Sequence, residues 1–206
     1  MTGELVPRKR PTQERSRRTF DAILSAARDV LIDVGFESLT CEQIAQRADL
    51  PIGTIYQYFA NKYVVVCELD RQDTTAVSNE LSAFAAEIPS LKWPQLLEKF
   101  LDHLAELWRT DPSRRAVWLS VQSTPATRAT ASITEKVLAE QVARILAPLT
   151  PTSERERRQM MAEVLVHAAY SLLSFSVQEP HDHDKVVGEL KRMLAGYLLL
   201  EDAVSR

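Results

Sequence analysis

The chain has 206 residues, 45% of them apolar and 26% charged, with a formal net charge of −3 at pH 7. This is an ordinary globular mix with enough chain to bury a core, and it excludes a globally basic nucleic-acid coat. Two cysteines, Cys41 and Cys67, exclude a disulfide framework; with no secretory leader pattern they predict a cytoplasmic protein. The five glycines are too scattered for a phosphate loop or a dinucleotide fingerprint, and too few for most β architectures. The longest apolar stretch, Met160 to Val177, is broken by Glu163, His167 and serines, so no membrane association is expected. Few segments alternate with period two. The prediction is an all-α fold of about nine helices.

Residues 1–12 carry Arg8, Lys9 and Arg10 without apolar periodicity, and predict a disordered basic arm. From Ser16, helical spacing of Phe20, Ile23, Leu24, Ala27, Leu31 and Val34 predicts a helix that Gly35 ends. Thr40 and Gln43 form a capping-box pattern before a short helix with Ile44, Ala45 and Ala48 inside. Pro51 opens a third helix over Ile52–Phe59, and Asn61 caps a long fourth one from Lys62. Further helices are expected over 94–109, 113–122, 130–147, 153–178 and 184–200, with a break at Pro148–Pro151.

The informative stretch is 16–62. Two short helices joined by a tight turn, after a longer one, outline a helix-turn-helix whose second short helix enters a major groove. Thr54, Tyr56, Gln57, Tyr58 and Lys62 crowd one region. Hydroxyls and a lysine suit phosphate oxygens, and a glutamine amide reads base edges. Gly53 costs its helix about 1 kcal/mol against alanine, and a missing side chain there permits close backbone approach to DNA. The same residues also fit a surface helix with scattered polar groups.

The wording of three segments goes further. Phe36-Glu37-Ser38-Leu39-Thr40, Ile44-Ala45-Gln46-Arg47-Ala48 and Gly53-Thr54-Ile55-Tyr56-Gln57-Tyr58-Phe59-Ala60-Asn61-Lys62 together resemble the DNA-binding domain of the TetR family of bacterial transcriptional regulators. Pro11–Arg18 resembles the basic lead-in of some members, with Arg17 and Arg18 as DNA-binding candidates. The resemblance implies phosphate contacts from Thr40, Thr54, Tyr56 and Lys62, and base-facing positions at Gln43, Ile52, Gly53, Gln57 and Tyr58. Two residues depart from the family pattern. Pro51 replaces the usual hydroxyl cap, which leaves Asp49 as the candidate cap. Ile52 replaces a polar residue and can only pack on a thymine methyl.

The resemblance also implies the organisation: an arm over 1–12, a helix-turn-helix domain over 13–62, and a ligand-binding and dimerisation domain over 63–206. The expected partners are a double-stranded DNA operator, a small-molecule effector and a second copy of the chain, paired through the last two helices. Those helices look apolar on more than one face, as with Met160, Val164, Phe175, Met193 and Leu198. Side chains that combine bulk with a polar tip, and their helical neighbours, make the candidate pocket: Phe100, His103, Leu104, Trp108, Trp118, Gln122, His167 and Tyr170. The expected function is a repressor released from a palindromic operator by a largely apolar or aromatic ligand. The competing reading is a helical lipid- or metabolite-binding module with a vestigial reading head and weak or no specific DNA binding. No cofactor and no metal are expected; His181-Asp182-His183-Asp184 reads as a helix cap. No enzyme motif stands out, and Glu163 with His167 is the one pair that invites a test for activity.

Overall fold

Nine α-helices and no strand occur among the residues that the computed structural model describes: 5–87, 92–149 and 155–204, with 149 and the last four as backbone alone. They are α1 (Glu14–Ser38), α2 (Cys41–Arg47), α3 (Ile52–Tyr58), α4 (Lys62–Glu87), α5 (Trp93–Thr110), α6 (Pro112–Gln122), α7 (Pro125–Leu146), α8 (Arg155–Ser176) and α9 (His183–Val204). A 3-10 turn, Ala147–Leu149, follows α7. Thr150 and Pro151 of the expected break, the expected start of α8 at 153, and the first four residues of the arm lie outside the described residues.

Packing divides the chain into two compact units: Met1–Asp73 with Pro112–Ile133, and Thr74–Asp111 with Thr134–Arg206. This differs from the division at residue 62 that the sequence suggests. Val117 and Val121 of α6 and Ala131 of α7 are buried in the same cluster as Ile23, Ala27 and Leu31 of α1. Nearness in sequence to α5 does not decide where α6 packs; its apolar stripe does.

In the first unit, α1 buries Phe20, Ile23, Leu24, Ala27, Val30 and Leu31. Against them lie Ile44 of α2, Ile55 of α3, Phe59, and Val65 and Leu69 of α4, all fully buried. The Phe20 ring stacks on Phe59 at 5.0 Å and meets Tyr58 edge-on at 5.5 Å. Each such side chain contributes roughly 1.5–3 kcal/mol on burial. Gly35 breaks the helical backbone with φ 73° and ψ 169°, a conformation that side chains resist, so the last turn of α1 is redirected toward α2. Arg28 of α1 donates to both carboxylate oxygens of Asp73 on α4, at 2.6 and 3.1 Å, and to Ser113 Oγ of α6 at 3.1 Å. One side chain thereby fastens three helices.

The arm is not disordered where it is described. Residues 5–12 are held by hydrogen bonds to α3, α4 and α7, among them Arg10 to the buried Glu68. Cys41 and Cys67 are both free and buried. Burial pushes both thiols up, Cys67 to about 12.

In the second unit, α8 packs along α9, and α5 packs on both. Leu173, Leu190 and Leu194 are almost wholly buried. Gln141 of α7 reaches α4, donating to the Ser78 carbonyl and to Ser82 Oγ and accepting from Ser78 Oγ. Asp182 caps α9, accepting from the Lys185 N–H at 3.2 Å, as the sequence suggests. The His181 ring lies on Phe175 instead of in a ligand cluster.

Candidate functional site

The reading head is built on local chemistry. Thr40 Oγ1 accepts from the Gln43 N–H at 3.2 Å, and Gln43 Oε1 accepts from the Thr40 N–H at 2.9 Å. This capping box starts α2 where the sequence places it. The turn that follows is closed by the chain itself. Asp49 takes a left-handed φ of 53°, and the Leu50 N–H donates to the Ala45 carbonyl at 3.0 Å. That is a Schellman closure of α2. Asp49 is therefore spent on ending α2, and it does not cap α3. Pro51 occupies the N-cap of α3 with no side-chain cap; only its carbonyl is used, by the Thr54 N–H at 2.8 Å.

On α3, Ile55 and Tyr58 point inward and are buried. Ile52, Gly53, Tyr56 and Gln57 are exposed, and Thr54 is half-buried. Thr40 is exposed beside them, and Gln43 is half-buried within the capping box. A Cβ built on Gly53 meets nothing within 4 Å, so the fold itself makes no demand for glycine there. The Tyr56 hydroxyl lies 3.4 Å from Glu42 Oε1. The neighbouring Cys41 thiol, then the Glu42 carboxylate, raise its pKa above the ordinary phenol value, which keeps it a hydroxyl donor.

Two residues expected at the DNA face carry structural duties. Tyr58 is only 6% exposed, and its ring packs on Phe20, so it belongs to the core and not to the base-facing set. Its place at i+3 from Ile55 was the signal. Lys62 Nζ donates to the Phe36 and Glu37 carbonyls, both at 2.9 Å, and sits 4.7 Å over the Phe36 ring. It ties the start of α4 to the carbonyl end of α1, and these two bonds use two of its three N–H donors. Arg17 is exposed, and Arg18 pairs with Glu14 one turn earlier.

The second unit contains an apolar cavity of about 110 Å³. Its walls come from α4 (Val77, Leu81), α5 (Leu97, Phe100, Leu104), α7 (Leu138, Val142), α8 (Leu165, Tyr170) and α9 (Leu194, Leu198). No charged residue is among its lining. Of the expected pocket residues, Phe100, Leu104 and Tyr170 line it. Trp108 stands behind the wall, edge-on to Tyr170 at 6.0 Å. His103 faces Glu80 at 3.2 Å, and its ring lies tilted beside Phe84 at 5.4 Å. His167 faces Glu135 at 3.6 Å, while Glu163 accepts from Gln159, so Glu163 and His167 serve different partners. Trp118 and Gln122 belong to the first unit and line no part of this cavity. The aliphatic walls on α7 and α9 carry no polar tip, so a search for such tips passes over them.

Among the described residues no group of three or more His, Cys, Asp or Glu is placed to hold a metal, and no helix is long and apolar enough to cross a membrane.

The family model described as "Bacterial regulatory proteins, tetR family" matches residues 23–69, and "Tetracyclin repressor-like, C-terminal domain" matches residues 91–201. The chain belongs to the TetR family. It is thus a DNA-binding transcriptional regulator with an N-terminal helix-turn-helix and a C-terminal helical domain. A curated relative, the uncharacterized HTH-type transcriptional regulator YdeS of Bacillus subtilis, is 43% identical over 54 residues. That match spans about a quarter of each protein, 26% of this chain and 27% of YdeS. A TetR-family regulator from Streptomyces coelicolor shares the fold with a TM-score of 0.68 at 22% identity, over 89% of this chain and 99% of its own. The regulator FadR from B. subtilis, solved with stearoyl-CoA, gives 0.68 at 18% identity, over 85% of this chain and 97% of its own. At these identities the likeness to the TetR structures speaks for the fold.

Proposed function

We propose that this TetR-family regulator is a homodimeric repressor, acting in the cytoplasm, that leaves a near-palindromic operator when a small apolar molecule enters its second unit. The outer face of α3 carries the reading: Ile52, Gly53 and Gln57 stand exposed and take no part in the buried core. Gly53 in particular costs helix stability and has no steric cause within the chain. Thr40, Thr54, Tyr56 and the remaining donor of Lys62 take phosphates, and Ile52, Gly53, Gln57 and Gln43 face base edges. Tyr58 supports this set from behind.

Pairing follows from the outer faces of the last helices. Met160, Val164 and Phe175 on α8 and Met193 and Leu200 on α9 are each more than 40% exposed. Their spacing puts each set on one side of its helix, so two copies would cover them in an isologous four-helix interface. The effector is a ring or a short hydrocarbon segment. The cavity suits that size and holds no charge to pair with a charged ligand. FadR of B. subtilis binds stearoyl-CoA; a cavity of about 110 Å³ fits a shorter apolar group. Helix α4 is the lever. Val77 and Leu81 line the cavity on the same continuous helix that begins at Lys62. The ligand acts only through different affinity for the DNA-bound and free states.

Selection of random DNA duplexes on the purified chain tests the core of this reading. The expected result is one enriched near-palindrome, bound with a steep salt dependence. Weak binding without enrichment would sink it and favour a metabolite-binding module.

A further inference from the structure

The arm before α1 takes a specific course. The Arg8 N–H donates to the Tyr58 carbonyl at 2.8 Å, and its guanidinium donates to the Tyr56 carbonyl at 2.9 Å. Both carbonyls belong to the last turn of α3, where helical carbonyls lack partners in their own helix and a cation is favoured. Two residues later the Arg10 guanidinium forks onto both oxygens of Glu68, at 2.8 and 2.9 Å. The Glu68 side chain is 1% exposed, and Arg71 grips it from the other side at 2.6 and 3.0 Å. Leu5 adds an N–H bond to Thr130 Oγ1 at 3.1 Å. The arm thus crosses from α7, past the end of α3, to the second turn of α4 within one unit.

The helix it touches is short of other supports. With seven residues, α3 is far below the length that holds itself in water. It has no side-chain cap at its start, and only Ile55 and Tyr58 are buried. Two inward side chains fix which face turns in, but the tilt of the axis needs a hold at an end. Arg8 is such a hold, and Arg10 on a buried carboxylate is its anchor.

We propose that residues Leu5–Arg10 form a strap that sets the tilt of α3 in the first unit, with Arg8 and Arg10 as positioning residues and not phosphate ligands. This rests on the reading that α3 enters the groove. It assigns the most basic segment of the chain a role that its charge conceals. Arg71 also holds Glu68, so the buried carboxylate is expected to keep a partner when Arg10 is removed.

The full chain and its Arg8→Ala/Arg10→Ala variant are compared in two measurements. Amide hydrogen exchange of the free proteins is expected to rise roughly tenfold within α3 and stay unchanged in α1. Affinity for the selected duplex is expected to fall roughly tenfold with the same slope against log salt. A slope smaller by about 1.8 would make both arginines phosphate contacts and overturn the proposal. Unchanged exchange in α3 would overturn it as well. If the unaltered chain selects no duplex, the DNA reading fails, and exchange on the free chain still judges the strap by itself. Arg10→Lys, which keeps the charge and loses the fork, is expected to restore the affinity only in part.

Discussion

Gly53 shows how one residue separates stability from recognition. It sits in the first turn of α3 with open space where a side chain would go. Gly53→Ala is therefore expected to stabilise the chain by a few tenths to about 1 kcal/mol in chemical denaturation. The same methyl group would stand on the face proposed to meet DNA, and operator affinity is expected to fall roughly tenfold or more. Equal affinity would remove Gly53 from the interface. Asp182 gives a residue-scale prediction against pH. Hydrogen bonds from the Lys185 backbone and side chain hold its carboxyl below the usual aspartate value. Its folded pKa is depressed, so its contribution is complete above the unfolded pKa and lost as pH falls through the folded one. Asp182→Ala is expected to lower the melting temperature at pH 7. The difference from the unaltered chain should begin to shrink below about pH 4, the unfolded value, and vanish only below the depressed folded one, which a melting series across pH would reveal. Asp182→Asn should retain most of the neutral-pH value, since asparagine also caps.

At the scale of elements, the helices were legible and their partners were not. The spacing of Phe20 to Leu31, the Thr40/Gln43 box and the Asn61 cap each mark an element that the structure contains, because these signals are local. The start of α7 at Pro125 escaped the periodicity. It depends on Thr124 and Thr127, which cap each other reciprocally, and on a proline in the first turn. The placement of α6 escaped as well, since it depends on Val117, Val121 and Ser113 meeting α1 across the chain. The reading head was legible where exposure follows helical phase. Lys62 is legible only in part, because its charge says nothing of the Phe36 and Glu37 carbonyls that it bonds. The cavity was the least legible part, since aliphatic walls look like core. The fastening of α1, α4 and α6 by Arg28 carries its own prediction. Asp73→Asn removes the charge from a half-buried ion pair and is expected to cost roughly 2 kcal/mol in urea unfolding. A change below about 0.5 kcal/mol would show that Ser113 and solvent satisfy Arg28 without it.

For the whole molecule, the exposed apolar faces of α8 and α9 set the expected assembly. Val164→Glu with Phe175→Glu places charge on the outer stripe of α8, where the residues are 46% and 41% exposed in the single chain. Sedimentation is expected to change from dimer to monomer with the helical circular dichroism intact, and operator binding should weaken with the loss of paired reading heads. A monomer in the unaltered chain would refute the pairing. The two buried thiols have a further consequence. Cys41 opens α2, next to the face proposed to meet DNA, and Cys67 lies within α4, and neither presents a reactive thiolate while the first unit is closed. A thiol-directed reagent therefore modifies each sulfur only during an opening of its own helix. The chain thus contains two internal clocks, one timing the breathing of the reading head and the other that of the lever. Both run without a label and can be read by mass in the presence or absence of DNA.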